Sequence, residues 1–479
     1  MQEPILIQQS DSTTLSDQTS LTGAASSSYE SSYSSNSNMS EQVKNYNKLR
    51  RQGSRSSVLV EAGKKRINGT TESGMSSWVQ HKKHFFILSS AGKPVWTRYG
   101  DESRISSLMG VIQAIISFFQ DSGDTIKSIN AGNHKFVFVH KEPLYYVAVS
   151  KTGESDVQLR DQLLYLHNQI ISVLTSAQLT RIFEQRVNFD LRRLLGGTEV
   201  FLDSLATLFN KDHSFMLSAL QVLRLNKSVR EQVGSIISNG RVKDLLYAMI
   251  VANGRLVTLL RPRRHSLHPS DLHLLFNMLT GSTTFHTAES WTPLCLPKFN
   301  SKGFLHAYIC YIAKDVSIVM ISTDKDRFFE LSEWKSSITE TMKKKEVLDH
   351  ITEASDQLYT TETVGAPGLL HFLYKSKIHV QFTCPGFTGP YIEDMNQKRL
   401  YKLYQHVYDR MHCRARPLKL YYHDSEQEII LGWITSSFEL YVVFKHGTSK
   451  PNIISSANQL LRWIKKNEDS LFILDSPVF

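Results

Sequence analysis

At 479 residues, with 41% hydrophobic, 10% aromatic and 21% charged side chains, the chain has the make-up of an ordinary globular protein of about two to four domains. No run reaches the ~18 apolar residues of a membrane span, and the start, Met1-Gln2-Glu3-Pro4, lacks the basic and apolar stretches of a secretory signal, so a cytosolic compartment is expected. The formal net charge of +10 favours acidic partners: nucleic acid, an anionic membrane or an acidic protein.

Residues 1–77 carry almost no apolar periodicity. Ser26-Ser27-Ser28, Ser31-Ser32 and Ser34-Ser35 sit among Tyr29, Tyr33 and Asn36. Such a stretch cannot bury enough apolar surface to offset its chain entropy, so a disordered arm is expected, its hydroxyls open to phosphorylation. The first folded unit spans 78–190. Strands at 84–89 and 95–96 flank a turn at Ala91-Gly92-Lys93. A helix at about 102–119 follows, with Ile105, Leu108, Met109, Ile112, Ile115, Ile116 and Phe119 on one face. Asp101 or Ser103 suits its cap, and Asp101 and Glu102 suit its N-terminal dipole. Short apolar runs at 125–129, 136–139 and 144–149, separated by tight turns, read as an antiparallel meander. A helix at 157–174 follows, with an extension at 177–183.

Residues 191–242 read as a helical connector, its pattern faintest at 215–225, punctuated by Gly196-Gly197 and Asn239-Gly240. The second unit, 243–350, opens with strands at 246–251 and 256–260 around Asn253-Gly254, a type I′ hairpin signature. A helix after Pro269, strands at 291–296, 305–312 and 316–322, and a helix at 328–347 complete it. A linker at 351–367 precedes the third unit, 368–479. There the strands fall at 369–374, 379–383, 418–422, 429–434 and 440–444, with helices at 393–411 and 453–464. One order, two strands, helix, three strands, helix, therefore occurs three times. The fold class is α/β in the α+β sense, and function is expected at surfaces between similar modules.

Enzyme signatures are absent: there is no GxSxG, GxxxxGK[ST], GxGxxG or HExxH. Neither a catalytic residue, a metal nor a cofactor is expected. Cys295, Cys310, Cys384 and Cys413 are far apart, so neither a disulfide framework nor a zinc site is expected, and at least three should be ordinary buried thiols. His81-Lys82-Lys83-His84 has metal-like spacing without acidic or thiol neighbours. His265, His268 and His273 lack a fourth ligand, and Asp324 and Asp326 read as helix-capping carboxylates. Arg261-Pro262-Arg263-Arg264 follows a hairpin strand and should be an exposed loop. Forked guanidinium groups suit phosphates, and each contributes about 1 kcal/mol near an anionic bilayer. Arg261, Arg263 and Arg264 are thus the candidate membrane contact, a plain solvated loop being the alternative. In Trp96-Thr97-Arg98-Tyr99-Gly100-Asp101, arginine beside aromatics is typical of interface hot spots, although Trp96 also suits a core.

The repeated unit resembles the longin domain, a five-stranded, mainly antiparallel sheet flanked by helices. The residues carry a closer resemblance to the Mon-one (monensin sensitivity, vacuolar fusion) family. It rests on His84-Phe85-Phe86-Ile87-Leu88-Ser89-Ser90-Ala91-Gly92-Lys93-Pro94-Val95-Trp96-Thr97-Arg98-Tyr99-Gly100, on 303–322 and on Leu373-Tyr374-Lys375-Ser376-Lys377. It rests also on 398–408 around Arg399-Leu400-Tyr401, and on Trp463-Ile464-Lys465-Lys466-Asn467-Glu468-Asp469. It covers about 78–479; the Ser-rich arm does not carry it.

The resemblance implies a subunit of a guanine nucleotide exchange factor that pairs with a second tri-longin protein, Ccz-one. In metazoans a third, scaffold-like subunit joins. The pair would activate the late-endosomal Rab (Rab-seven) in endosome maturation, lysosome or vacuole fusion and autophagy. It would be recruited by the early-endosomal Rab and by anionic phosphoinositides to late-endosomal, lysosomal and autophagosomal membranes. Nucleic acid is not an implied partner. Exchange makes no bond: the factor must bind the nucleotide-free GTPase better than the loaded one, which needs a rigid surface and no cofactor. On this reading Trp96, Arg98, Tyr99, Asp101 and Glu102 form part of the GTPase-facing surface. A longin-type trafficking adaptor or tether without exchange activity is the alternative.

Overall fold

A computed structural model describes residues 80–100, 106–240 and 242–479. The Ser-rich arm, Asp101 and Glu102, and the expected cap of the first helix lie outside the described residues.

Strand β1 (Lys83–Ser89) has all seven residues buried, because the sheet is covered on both faces. Phe85 and Ile87 face the core built by helix α2 (Asp156–Leu174), while Phe86 and Leu88 face helix α1 (Ser106–Asp121) through Met109, Ile112 and Ile116. With β2 (Pro94–Thr97), β3 (Ser128–Ala131), β4 (His134–Lys141) and β5 (Leu144–Ser150), it forms an antiparallel sheet of order β2-β1-β5-β4-β3. Ser155 starts α2 with a capping box: its hydroxyl accepts from the Gln158 backbone, and the Gln158 side chain accepts in return from the Ser155 N–H. Helix α3 (Ser176–Gln185) continues beyond it.

The connector is not purely helical. Helices α4 (Glu199–Leu208) and α5 (His213–Leu217) lead into a two-residue strand, β6 (Leu220–Gln221), and then α6 (Lys227–Ser238). The helical expectation at 215–225 is therefore corrected: β6 runs parallel to β13 (Gln381–Thr383) of the third unit, with Leu220 opposite Gln381. One residue later, Val222 bridges Leu256 of β8 (Arg255–Leu260) in the second unit.

The second sheet, of order β8-β7-β11-β10-β9, comprises β7 (Leu245–Ala252), β8, β9 (Ser290–Leu296), β10 (Ser301–Ala313) and β11 (Val316–Ser322). Helix α7 (Pro269–Gly281) covers one face. Helices α8 (Phe328–Lys344) and α9 (Val347–Asp356) cover the other with α6. The single helix expected at 328–347 is thus two, broken where Glu346 takes a left-handed φ of 57°, and helix persists into the expected linker.

The third sheet has six strands, one more than the repeat suggests, in the order β14-β15-β16-β12-β13-β6. Its own strands are β12 (Leu369–Ser376), β13, β14 (Leu420–Asp424), β15 (Glu428–Ile434) and β16 (Phe438–Lys445), flanked by α10 (Asp394–Met411) and α11 (Lys450–Lys466). The sixth comes from the connector.

Buried polar side chains join the units. Tyr165 of α2 meets His273 of α7 at 3.0 Å, and the other ring nitrogen of His273 lies 3.0 Å from the Ala219 carbonyl of the connector. Asn277 donates to the Phe201 carbonyl and to Gln169 at 2.9 Å each. Arg230 of α6 donates to the carbonyls of Val257, Leu223 and Ser470 at 2.7, 2.9 and 3.0 Å, reaching units two and three at once. Buried carbonyls left without donors would each cost about 1–3 kcal/mol, so these contacts fix the connector in place.

Candidate functional site

Trp96 sits at the end of an edge strand with 0% of its surface exposed, inside the core that α2 and α3 cover. It cannot be part of a contact surface, and that assignment is corrected: β2 is short, but the connector closes over it. Arg98 does the closing. Its guanidinium donates to the Asp203 carbonyl at 2.8 Å and to the Thr207 hydroxyl at 2.6 Å, and lies 3.4 Å from the Asp203 carboxylate. Its backbone N–H donates to Phe85. Tyr99 is half-buried, stacked on His81 with ring centroids 3.6 Å apart and with the Arg98 guanidinium 5.1 Å from its ring. Of the five residues expected on this surface, Tyr99 keeps an accessible ring, Arg98 is turned inward to α4, and Asp101 and Glu102 are outside the described residues.

The outer face of α1 went unread in the sequence. Val111 and Phe118 are 56% and 68% exposed, with Ala114 exposed between them. Their i, i+3, i+7 spacing is a second apolar stripe beside the buried one, a signal present in the sequence. The helix therefore carries one buried apolar face and one exposed apolar stripe.

Beneath β1, Lys83 donates to Glu154 at 2.9 Å and to Gln162 at 3.2 Å; Gln162 and Gln405 of α10 also donate to that carboxylate. Burial alone would raise the Glu154 carboxyl, but the Lys83 charge and hydrogen bonds from Thr152 and Gln162 hold it below the usual range. The His-Lys-Lys-His run therefore supplies a structural ion pair within the first unit, and the Gln405 hydrogen bond ties its carboxylate to the third.

The basic loop is held by the last residues of the chain. Arg261 and Arg263 donate their backbone N–H groups to the carbonyls of Pro477 and Phe479 at 3.2 and 3.0 Å, and Phe479 donates back to Arg261. Arg263 and Arg264 are exposed, while Arg261 is half-buried. The three nearby histidines do separate jobs. His268 caps α7 by accepting from the Ser270 N–H, His273 is buried at the unit seam, and His265 packs edge-on near Phe299. The capping role expected of Asp324 and Asp326 is corrected: the N-cap position of α8 is Arg327, with no side-chain cap, and Asp324 pairs with the Arg327 guanidinium at 3.1 Å. No described helix is long and apolar enough to cross a membrane.

Comparison with known proteins agrees with this architecture unit by unit. Residues 83–205 match the first longin domain of FUZ, MON1 and HPS1, 243–340 the second and 368–468 the third. The chain is 42% identical over 408 residues to vacuolar fusion protein MON1 homolog A of Gallus gallus, covering 85% of this chain and 74% of that protein. It is 43% identical over 412 residues to Protein SAND of Takifugu rubripes, covering 85% and 79%. It is 43% identical over 403 residues to vacuolar fusion protein MON1 of Cryptococcus neoformans, covering 82% and 65%. Matching that extends through all three longin units at this identity means that the chain belongs to the MON1 family.

Proposed function

We propose that this chain serves membrane trafficking and vacuolar or lysosomal fusion as one subunit of a guanine nucleotide exchange factor. Its substrate is a late-endosomal Rab, and its partner is a second tri-longin chain of the Ccz-one type. A scaffold-like third subunit and an early-endosomal Rab as recruiter belong to the same reading. The observation that carries the proposal is the uncovered apolar stripe on α1, Val111 and Phe118, on a first longin unit braced from behind by the connector. The stripe suits pairing with a partner's longin unit. The bracing suits exchange, because prising open a nucleotide pocket needs a surface that does not yield. Tyr99 is the accessible member of the expected GTPase-facing surface. Arg263 and Arg264 are the exposed basic pair that suits an anionic, phosphoinositide-bearing membrane. The reaction makes and breaks no covalent bond in the protein.

The test is release of a fluorescent nucleotide from the purified late-endosomal Rab by this chain co-expressed with its tri-longin partner. Fast release by the pair and slow release by either chain alone is the expected result. A well-assembled pair without acceleration would leave a trafficking adaptor or tether as the function.

A further inference from the structure

The outer edge of the third sheet carries a feature that lies outside the exchange reading. Strand β14 pairs with β15 on one side and has no partner strand on the other among the described residues. Leu420, at its start, is 53% exposed. The last turn of α10 presents Arg410 to solvent, and the turn leading from it into this strand presents Arg414, Arg416 and Lys419; none of the four forms an ion pair among the described residues. Arg414 and Arg160, the latter from α2, both lie within electrostatic reach of Asp161, so the basic corner spans the seam between units one and three. Beside it, the rings of His406 and His423 are 5.3 Å apart.

We propose that this corner takes up an extended acidic segment of a partner protein as an added strand on β14. An open edge offers backbone donors and acceptors to any strand, and a flanking run of cations admits an acidic one and repels basic ones. Lys419 beside the edge guards against indiscriminate pairing, but guarding does not require Arg410, Arg414 or Arg160, which stand on helices and the turn. A uniformly anionic bilayer fits less well, because Asp161 and Asp409 are set among the cations; a peptide with spaced carboxylates avoids both.

The experiment uses the full chain and a fluorescein-labelled decapeptide of alternating glutamate and threonine, read by fluorescence anisotropy. Binding is expected, and R414E/R416E should weaken it by about tenfold, the factor equivalent to 1.4 kcal/mol, with an unchanged melting temperature. A proline probe, with proline in place of each threonine and every glutamate N-methylated so that no backbone N–H remains to donate to the edge, should not bind. Equal binding of the proline probe, an unaltered affinity for R414E/R416E, or no binding of the alternating peptide would overturn the proposal. So would loss of phosphatidylserine-vesicle binding by R414E/R416E with peptide binding intact, which would assign the corner to membranes. Nucleotide release from the Rab is measured in parallel; it tests the exchange reading and does not depend on this edge.

Discussion

Lys83 and Glu154 are 7% and 4% exposed, yet both act as charged partners in the seam between the first and third units. Removing one charge from such a pair strands the other in low dielectric. Lys83→Met should therefore lower unfolding free energy by about 3–5 kcal/mol, and K83M/E154Q should recover most of it, because neutralising both leaves no buried charge. Urea denaturation of the three proteins checks this, and equal loss in single and double variants would sink it. Arg98 belongs with these structural residues. Arg98→Ala removes the charged hydrogen bonds to the Asp203 carbonyl and the Thr207 hydroxyl at a cost of about 1–3 kcal/mol, visible as a lower urea midpoint. Tyr99→Ala should leave the midpoint nearly unchanged and slow Rab nucleotide release by the assembled pair. The residue types here were readable in the sequence, but their direction was not. An arginine flanked by aromatics reads as a hot spot until the carbonyl of a helix some hundred positions later is seen to be its acceptor.

At the scale of elements, tight packing sets the sharpest constraint at Gly432, in the middle of β15. A Cβ there would overlap Met411 Sδ and come within 2.9 Å of Val407 Cγ1 on α10. Gly432→Ala should cost about 1–3 kcal/mol by overpacking. G432A/M411A should then be less destabilised than the sum of the two single changes, since the second removes the atoms that the first collides with. Additive losses would refute the close approach. Elements with their own periodicity were legible. The β1 run of apolar residues, the α2 stripe from Leu159 to Leu174, and the Asn253-Gly254 hairpin all appear where the sequence puts them. Elements defined by a neighbour were not. Strand β6 is two residues long and has no pattern of its own; the edge of β13 makes it a strand. The break at Glu346 lies within a continuous helical pattern and follows from where α9 must turn to cover β7. The α1 stripe could have been read, but the buried face on the same helix masked it.

For the whole molecule, three histidines at the seams and in the third core carry a pH dependence. Burial pushes His213 and His371 down to about 3 and His273 down to about 4. Each stays neutral in the fold, whereas the unfolded chain's histidine takes up a proton below its ordinary value of about 6.5. Stability is therefore full above pH ~6.5 and is lost as pH falls toward ~4, by about 1.4 kcal/mol per pH unit for each histidine. Urea midpoints at pH 7.5, 6 and 5 should fall steadily, and a flat profile would exclude neutral burial. The strand that the connector lends to the third sheet has a further consequence, for how such a chain is made and inherited. During synthesis β6 leaves the ribosome long before β13 exists, so it must wait unpaired while the entire second unit is completed. A product truncated after that unit would keep an orphan strand, and the isolated third unit would carry an uncovered edge prone to self-association. The threefold repeat therefore does not make three independent units. In any recombination between relatives, the third unit and the stretch from Leu220 to Gln221 would have to travel together.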